Sequence, residues 1–150
     1  MIEIRPYRDQ DRAATAALWM ASWRSTGLSI ALEPQEAELY RLSYERIARE
    51  LEAGWVVHLA WDEGQLVGFL ALKPRADCLD QLFVLPEAQG RGIGRALLDF
   101  AKGQLPRGMW LRTAAANTRA RRFYERNGLT PGETEVHPVL RQPTIIYRWS

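Results

Sequence analysis

Residues 82–98 read Leu-Phe-Val-Leu-Pro-Glu-Ala-Gln-Gly-Arg-Gly-Ile-Gly-Arg-Ala-Leu-Leu, and they combine three local patterns in a fixed order. An apolar run typical of a buried strand comes first, and a glycine-rich turn follows it. The turn leads directly into a segment whose apolar residues recur at helical spacing. Glycines let backbone N–H groups approach a ligand closely, and the start of a helix carries a partial positive charge. The segment therefore predicts a site for a phosphate or a pyrophosphate.

Two common phosphate-binding motifs do not fit this turn. A dinucleotide fingerprint requires Gly-x-Gly-x-x-Gly, and counting from Gly90 or Gly92 places Arg95 or Leu97 at the last position. A P-loop requires Gly-Lys followed by Ser or Thr, which the chain lacks. A turn that only lets a helix pack closely on a strand is the structural alternative. In favour of an anion site, Arg91 and Arg95 would add positive charge beside the turn.

A second pattern lies downstream, from Asn117 to Leu129. Asn117, Ala120 and Tyr124 stand at positions i, i+3 and i+7, so they share one face of a predicted helix. Asn117 suits the N-cap position, and Gly128 suits the residue just after the helix end. Taken alone, this pattern favours a capped amphipathic helix with Tyr124 as an ordinary core aromatic.

Together, the two segments resemble the GNAT superfamily of N-acetyltransferases. Residues 89–94 are similar to its Gln/Arg-x-x-Gly-x-Gly/Ala signature, and residues 117–128 are similar to its coenzyme-contact helix. The resemblance implies acetyl-CoA as the cosubstrate and no metal. It implies a coenzyme-binding set made of Leu82, Phe83, Val84, Gln89, Gly90, Arg91, Gly92, Ile93, Gly94, Arg95, Asn117, Ala120 and Tyr124.

The same resemblance implies how these residues would act. Backbone amides of residues 89–95 would hold the pyrophosphate, and the backbone of Leu82 and Val84 would pair with the pantetheine arm as an added strand does. The Asn117 side chain would contact the pantetheine region. The Tyr124 hydroxyl would lie near the thioester sulfur as a general acid, because a phenol with a pKa of about 10 can protonate a thiolate whose conjugate acid has a pKa of about 8.5.

The helix predicted after Asn117 is rich in arginine. We expect its four arginines to form a solvated face; they are Arg119, Arg121, Arg122 and Arg126. Arg119 or Arg122 would be able to reach a coenzyme phosphate, and the spacing does not choose between them.

Acyl transfer to an amine also needs a base, because a lysine-like amine with a pKa of about 10.4 takes about 4.6 kcal/mol to deprotonate at pH 7. GNAT enzymes often carry the base on the strand that precedes the glycine loop. Asp80 lies there and shares the parity of Leu82 and Val84, so we predict that it points to the same face and acts as the base. A solvated aspartate, or one paired with an arginine, is the alternative.

Histidine and cysteine give no sign of other chemistry. His58 and His137 lack metal-ligand spacing. Cys78 is the only cysteine, which excludes an intrachain disulfide, and no histidine lies near it in sequence to activate it. The sequence therefore favours direct transfer in a ternary complex, with a strand amide near Val84 polarising the thioester carbonyl.

Hydrophobic periodicity predicts a strand, two helices, three strands, a helix, a strand, a helix and two strands. The fold class is α/β of the α+β type. The GNAT fold implied here is a mixed, mostly antiparallel sheet of six to seven strands, splayed where coenzyme A enters and flanked by about four helices. We expect one N-acetyltransferase domain over residues 1–150, with the second helix beginning at Pro34. The predicted apolar face of the first helix contains Ala14, Ala17, Leu18 and Ala21.

The composition is typical of a globular protein and does not indicate nucleic acid or a membrane as a partner. The 150 residues are 47% hydrophobic and 25% charged, and the formal net charge of +2 does not indicate nucleic-acid binding. The amino terminus lacks a basic segment followed by a long apolar run, and no apolar stretch reaches the length of a membrane helix. We therefore predict a cytoplasmic protein without membrane contact. Because family members are often dimers, the resemblance also implies a homodimer.

The resemblance implies that the acceptor is a primary amine of a small molecule or peptide, and the sequence does not name it further. GNAT enzymes shape the acceptor pocket with the first two helices and the last strands, which here carry Trp19, Trp23, Glu33, Tyr40 and residues 133–137. Core packing explains each aromatic residue equally well. A non-catalytic acyl-CoA-binding or sensor module of the same fold is the main alternative function. A nucleotide-binding protein that uses the same turn is the second.

Overall fold

The computed structural model describes residues 1–25, 36–136 and 141–150. The described strands are β1 (Ile2–Pro6), β2 (Val56–Asp62), β3 (Gln65–Lys73), β4 (Cys78–Val84), β5 (Met109–Ala114), β6 (Thr130–Val136) and β7 (Pro143–Trp149). The described helices are α1 (Arg12–Ser25), α2 (Glu36–Glu52), α3 (Ile93–Gln104) and α4 (Thr118–Arg126). The predicted order of elements is confirmed. Pro34, the predicted start of the second helix, lies outside the described residues.

The strands form one mixed sheet in the order β1-β2-β3-β4-β5-β7-β6. All neighbouring pairs are antiparallel except β4 and β5, which run parallel and pair only where Cys78 lies opposite Trp110. Beyond that point no ladder joins the two strands within the described residues, so the facing edge of β4 is left unpaired as far as Val84. The predicted splayed, mostly antiparallel sheet is confirmed.

Strand β4 contains an irregularity that affects where its side chains point. Ala71 of β3 lies opposite Gln81, but the next residue, Leu72, lies opposite Leu79. Asp80 is therefore an extra residue in β4, as in a β-bulge. A bulge reverses the alternation of side chains between the two faces of a strand, so parity counted along β4 changes at this position.

Helices cover both faces of the sheet. On one face α3 and α4 enclose a cluster that includes Val67, Leu70, Leu79, Val84, Ile93, Leu97, Leu98, Tyr124 and Tyr147. On the other face α1 and α2 enclose a cluster that includes Leu18, Trp19, Ile47, Trp55, Leu59, Phe69 and Phe83. No helix in the described ranges combines the length and the apolar character needed to cross a membrane.

The buried face of α1 agrees with the predicted one at Leu18 and partly at Ala21, and differs from it elsewhere. Ala14 and Ala17 are exposed, whereas Leu18 and Trp19 are buried. The ring of Trp19 packs against that of Trp55, with a centroid distance of 5.4 Å. Because a tryptophan buries far more apolar area than an alanine, this contact orients the helix and the alanine stripe does not.

Candidate functional site

A cleft of about 520 Å³ lies between the end of β4, the glycine turn, the start of α3 and one side of α4. It is lined by Leu82, Phe83, Val84, Pro86, Gln89, Gly90, Gly92, Ile93, Gly94, Arg95, Asn117, Arg119, Ala120, Phe123, Tyr124 and Arg126. The fold thus brings the two predicted motifs, which lie more than 20 residues apart, to one cleft. Of the residues predicted to bind the coenzyme, Arg91 alone is missing from the described lining.

The glycine turn has a backbone that only glycine adopts easily. Gly90 and Gly92 have φ angles of 87° and 82°, and a Cβ on either would meet no atom of the protein within 4 Å. Glycine is therefore required here by the left-handed backbone and not by crowding. Gly92 is the N-cap of α3, and its carbonyl accepts the first helical bond, from the amide of Ala96 at 3.0 Å.

The amides of this turn are free to bind a ligand. Within the part of the chain that the structure describes, no backbone or side-chain group accepts a hydrogen bond from the N–H groups of residues 90–95. Successive unpaired N–H groups at a helix start form a site for an anion, strengthened by the helix dipole. The turn therefore has the donors that a pyrophosphate needs.

Gln89 ties the turn to the end of β4. Its side-chain Nε2 donates a hydrogen bond to the Val84 carbonyl at 3.2 Å. Its Oε1 is buried and has no hydrogen-bond partner among the described residues. A buried acceptor without a donor is unfavourable, so a ligand N–H in the cleft would satisfy it.

Positively charged residues line part of the cleft. Arg95, Arg119 and Arg126 line it, whereas Arg122 does not appear among the described lining residues. Arg91 instead approaches Asp62 at the end of β2, with an N–O distance of 3.4 Å. Only its backbone amide therefore belongs to the turn.

Helix α4 begins and ends as predicted. The Asn117 Oδ1 accepts a hydrogen bond from the Ala120 amide at 3.2 Å, which confirms the N-cap. Gly128 has a φ of 90° just beyond the helix end. The cap uses only the oxygen of the Asn117 side chain, so its two amide protons remain as donors. Asn117, Ala120 and Tyr124 all line the cleft, as their spacing predicts.

Tyr124 combines burial with a place in the cleft wall. Its side chain is 8% exposed, and its ring lies 5.3 Å from that of Phe123 and 5.9 Å from that of Tyr147, centroid to centroid. Burial raises the pKa of the Tyr124 phenol to about 12. The phenol is therefore protonated throughout the physiological pH range and is available as a hydrogen-bond donor.

The prediction that all four arginines of α4 are solvated is wrong for Arg121. Its Nε donates to the Tyr147 hydroxyl at 3.1 Å, and its Nη1 donates to the Ala115 carbonyl at 3.1 Å. Tyr147 is a residue that the sequence reasoning did not single out. Its alternation with Ile145 on β7 identifies it as buried, but nothing local shows that its hydroxyl bonds to α4.

The parity prediction for Asp80 is also wrong, because of the bulge. Its Oδ2 accepts a hydrogen bond from the Trp55 indole N–H at 2.7 Å, and Lys73 Nζ lies 3.7 Å away. Trp55 belongs to the cluster under α1 and α2, whereas Leu82 and Val84 pack in the cluster under α3 and α4. Asp80 is thus absent from the described lining of the cleft, and its role as a base stays a prediction.

Cys78 and His58 lie outside the cleft lining. Burial raises the pKa of the Cys78 thiol to about 11, with the Asp80 carboxylate as a smaller cause. The His58 ring packs 4.5 Å from that of Phe100, and burial lowers its pKa. Among the described residues, no group of His, Cys, Asp and Glu has the arrangement of a metal site.

The residues predicted to shape an acceptor pocket have mixed outcomes. Trp19 is a core residue, and the Tyr40 ring stacks on that of Tyr44 at 6.0 Å. Glu33 and His137, and the side chain of Trp23, lie outside the described part of the chain. Residues 133–136 form an exposed part of β6.

Comparison with known proteins identifies the family of this chain. The model of the acetyltransferase (GNAT) family matches residues 13–129. The chain is 30% identical over 140 residues to the peptidyl-lysine N-acetyltransferase YjaB of Salmonella typhimurium, covering 91% of this chain and 89% of the relative. It is 33% identical over 100 residues to the uncharacterized N-acetyltransferase YhfO of Bacillus subtilis, covering 59% and 67%.

Solved structures share the whole fold. The PaiA N-acetyltransferase of Thermoplasma acidophilum, in complex with coenzyme A, superposes with a TM-score of 0.73 at 22% identity, covering 99% of each chain. The apo form of YjaB from Escherichia coli has a TM-score of 0.73 at 26% identity, covering 99% of this chain and 95% of that one. By its family match and its fold, this chain belongs to the GNAT family of acetyltransferases and is an acyltransferase.

Proposed function

We propose that this protein transfers an acetyl group from acetyl-CoA to a primary amine of a small molecule or peptide, directly within a ternary complex. The observation that carries the proposal is the row of unpaired amides at residues 90–95, which lines a cleft large enough for a ligand arm. The three arginines that line the cleft add charge complementary to a phosphate-bearing coenzyme.

The open edge of β4 supports the binding mode proposed for the pantetheine arm. Strand β5 leaves this edge after Cys78, so the backbone near Leu82 and Val84 has no neighbouring strand there. An extended chain with amide groups is able to pair with such an edge as an added strand. The side chains of both residues line the cleft beside it.

In the proposed reaction, the amine nitrogen attacks the thioester carbonyl carbon, the C–S bond breaks and the electron pair leaves on sulfur. Tyr124 is our candidate to stabilise that sulfur. Complete transfer of its proton, from a pKa of about 12 to a thiolate whose conjugate acid has a pKa of about 8.5, would cost roughly 5 kcal/mol. Tyr124 therefore acts chiefly as a hydrogen-bond donor to the developing thiolate, and a strand amide near Val84 polarises the carbonyl.

Asp80 is our candidate for the base, acting through water. The bulge turns it towards the α1–α2 face, so an amine that enters the β4–β5 opening from that face would approach its carboxylate. The side chain is 26% exposed, which leaves room for water. The buried, protonated Cys78 thiol favours direct transfer over a covalent enzyme intermediate.

For the acceptor, the names of the relatives give a starting point. YjaB of Salmonella typhimurium and YiaC of Escherichia coli are named peptidyl-lysine N-acetyltransferases. We therefore propose a lysine side chain in a peptide as the first acceptor to test, with polyamines and small primary amines beside it. We also propose that residues 1–150 form a single domain and that the protein acts in the cytoplasm as a homodimer.

The function is tested by thiol release from acetyl-CoA in the presence of an amine panel. We expect turnover with at least one amine, and a fall of kcat of about 100-fold in Tyr124→Phe, the size of effect that the loss of one preorganised hydrogen-bond donor has. Tight coenzyme binding without turnover on any amine would favour the non-catalytic sensor module.

A thermal-shift comparison separates the remaining alternative. We expect acetyl-CoA to raise the melting temperature and ATP or NAD to leave it almost unchanged, because only a ligand of the native state stabilises it. An equal or larger shift with ATP would instead support a nucleotide-binding protein.

A further inference from the structure

Tyr147 on β7 is completely buried, yet its hydroxyl makes two hydrogen bonds. It donates to Glu125 Oε2 at 2.6 Å and accepts from Arg121 Nε at 3.1 Å. Both partners lie on α4, four residues apart and therefore on one side of the helix. One hydroxyl from the sheet thus holds two points of the helix.

The same network reaches the segment that leads into α4. Arg121 Nη1 donates to the Ala115 carbonyl at 3.1 Å, and the Ala115 amide donates to the Pro143 carbonyl at the start of β7 at 3.0 Å. Asn117, the N-cap of α4 and part of the cleft lining, follows two residues later. Strand β7 therefore anchors both the entrance and the body of α4.

Helix α4 depends on such anchors because it is short. It has nine residues, and a helix of that length is not stable by itself in water. Its rotation about its own axis, which sets where Tyr124 lies in the cleft wall, is therefore determined by contacts with the sheet. The Tyr147 ring packs on that of Tyr124 at 5.9 Å, so ring and hydroxyl hold adjacent residues of α4.

We propose that Tyr147 is a positioning residue for the active site, whose hydroxyl, held by Arg121 and Glu125, sets where α4 presents Tyr124 to the cleft. The inference rests on the proposed function. The turn amides that would hold the coenzyme belong to residues 90–95, before and at the start of α3, so their geometry does not depend on this network. Loss of the Tyr147 hydroxyl therefore acts on kcat more than on the KM for acetyl-CoA.

A double-mutant cycle tests this. Tyr147→Phe removes only the hydroxyl, and we expect kcat to fall about tenfold while the KM for acetyl-CoA changes less than about threefold, because small misplacement of a reacting group is costly. In a Tyr124→Phe background the same change should lower kcat less than about twofold, since residues that act as a unit are not additive. Arg5→Gln, which breaks an exposed ion pair with Glu3 on β1, is the control and should leave kcat unchanged.

Two results would overturn the proposal: an equal fall of kcat in both backgrounds, or an unchanged kcat in folded Tyr147→Phe. Should Tyr147→Phe fail to fold, Glu125→Ala replaces it in the same cycle. Glu125 is exposed, so its removal breaks the network at the helix surface without opening the core.

A second measurement needs no turnover and so separates this proposal from the proposed function. The absorbance of ionised tyrosine is measured against pH in the wild type and in Tyr147→Phe, and again in each of these with Tyr124→Phe added. Subtracting the second titration curve from the first isolates the ionisation of the Tyr124 phenol. If the Tyr147 hydroxyl positions Tyr124, removing that hydroxyl lets water reach the Tyr124 phenol. The Tyr124 pKa then falls from about 12 towards the ordinary value of about 10. An unchanged Tyr124 titration contradicts the positioning role, whether or not the wild type turns over acetyl-CoA.

Discussion

The indole N–H of Trp55 donates a hydrogen bond to the Asp80 carboxylate across 2.7 Å. Trp55 precedes β2 and packs under α1 and α2, whereas the cleft lies on the side of α3 and α4. The bulge in β4 thus places a carboxylate on the face opposite the cleft. In the proposed reaction the coenzyme would bind in the cleft on the α3–α4 side, and the amine would approach from the α1–α2 side. The Trp55 hydrogen bond therefore holds the candidate base on the side from which the amine would come.

Substituting Asp80 tests that assignment. Asp80→Asn keeps a side-chain oxygen for Trp55 but removes the basic group, so we expect kcat/KM at neutral pH to fall about 100-fold, within the range of general-base effects. Trp55→Phe is the control, because it keeps the carboxylate and should mainly lower the free energy of unfolding, by about 1–3 kcal/mol. Equal losses of kcat/KM in both variants would mean that Asp80 is structural.

The glycine turn predicts a contrast between two glycines. Gly92 has a φ of 82°, so Gly92→Ala strains the turn and misaligns its amides, and we expect the Kd for acetyl-CoA measured by calorimetry to rise at least about tenfold. Gly103 lies inside α3, where a Cβ would meet nothing within 4 Å. Gly103→Ala should therefore leave the Kd unchanged and raise the free energy of unfolding by about 0.5–1 kcal/mol. Similar Kd values for both variants would contradict an amide-based site.

Burial of Tyr124 makes stability fall in alkali. Its pKa is about 12 in the folded protein and about 10 when unfolded, so between these values the unfolded chain binds fewer protons and stability decreases as pH rises. At pH 11 this contribution is about 1.4 kcal/mol relative to neutral pH. The free energy of unfolding is measured with denaturant at pH 7, 10 and 11 for the wild type and for Tyr124→Phe. It should decrease less with rising pH in the variant. Parallel decreases would mean that the phenol is already exposed to water.

Cys78 should be inert to thiol reagents in the folded protein. The residue is 5% exposed and burial raises its pKa to about 11, so almost no thiolate is present at pH 8. We expect iodoacetamide to modify it only after unfolding, with mass spectrometry as the measurement. Cys78→Ser should retain transfer activity if acyl transfer is direct, whereas a trapped acetyl group on Cys78 would require a covalent intermediate.

The order of the elements and several features of the site follow from local sequence rules. The order of the elements, the caps at Asn117 and Gly128 and the glycines of the turn are correctly predicted, because each depends on backbone angles or on partners three or four residues away. The alignment of Ala120 and Tyr124 on one side of α4 follows equally from helical spacing.

Other features depend on residues distant in the chain. Asp80 changes face because β4 gains one residue against β3, and no periodicity within β4 reveals that register. Arg91 reaches Asp62 across the end of a hairpin instead of facing the cleft. In α1, the contact of Trp19 outweighs a regular alanine stripe.

The sequence alone therefore predicts the anion-binding turn and the capped helix. A glycine at positive φ and an asparagine at an N-cap each depend only on residues a few positions away. Whether those two pieces meet in one cleft, which way Asp80 points, and how Tyr147 holds α4 were settled only by packing. The last two features depend on groups that lie 25 and 26 residues apart in the chain, joined by the Trp55–Asp80 and Arg121–Tyr147 hydrogen bonds. Such contacts form only once the sheet has set its register and the helices have found their apolar partners.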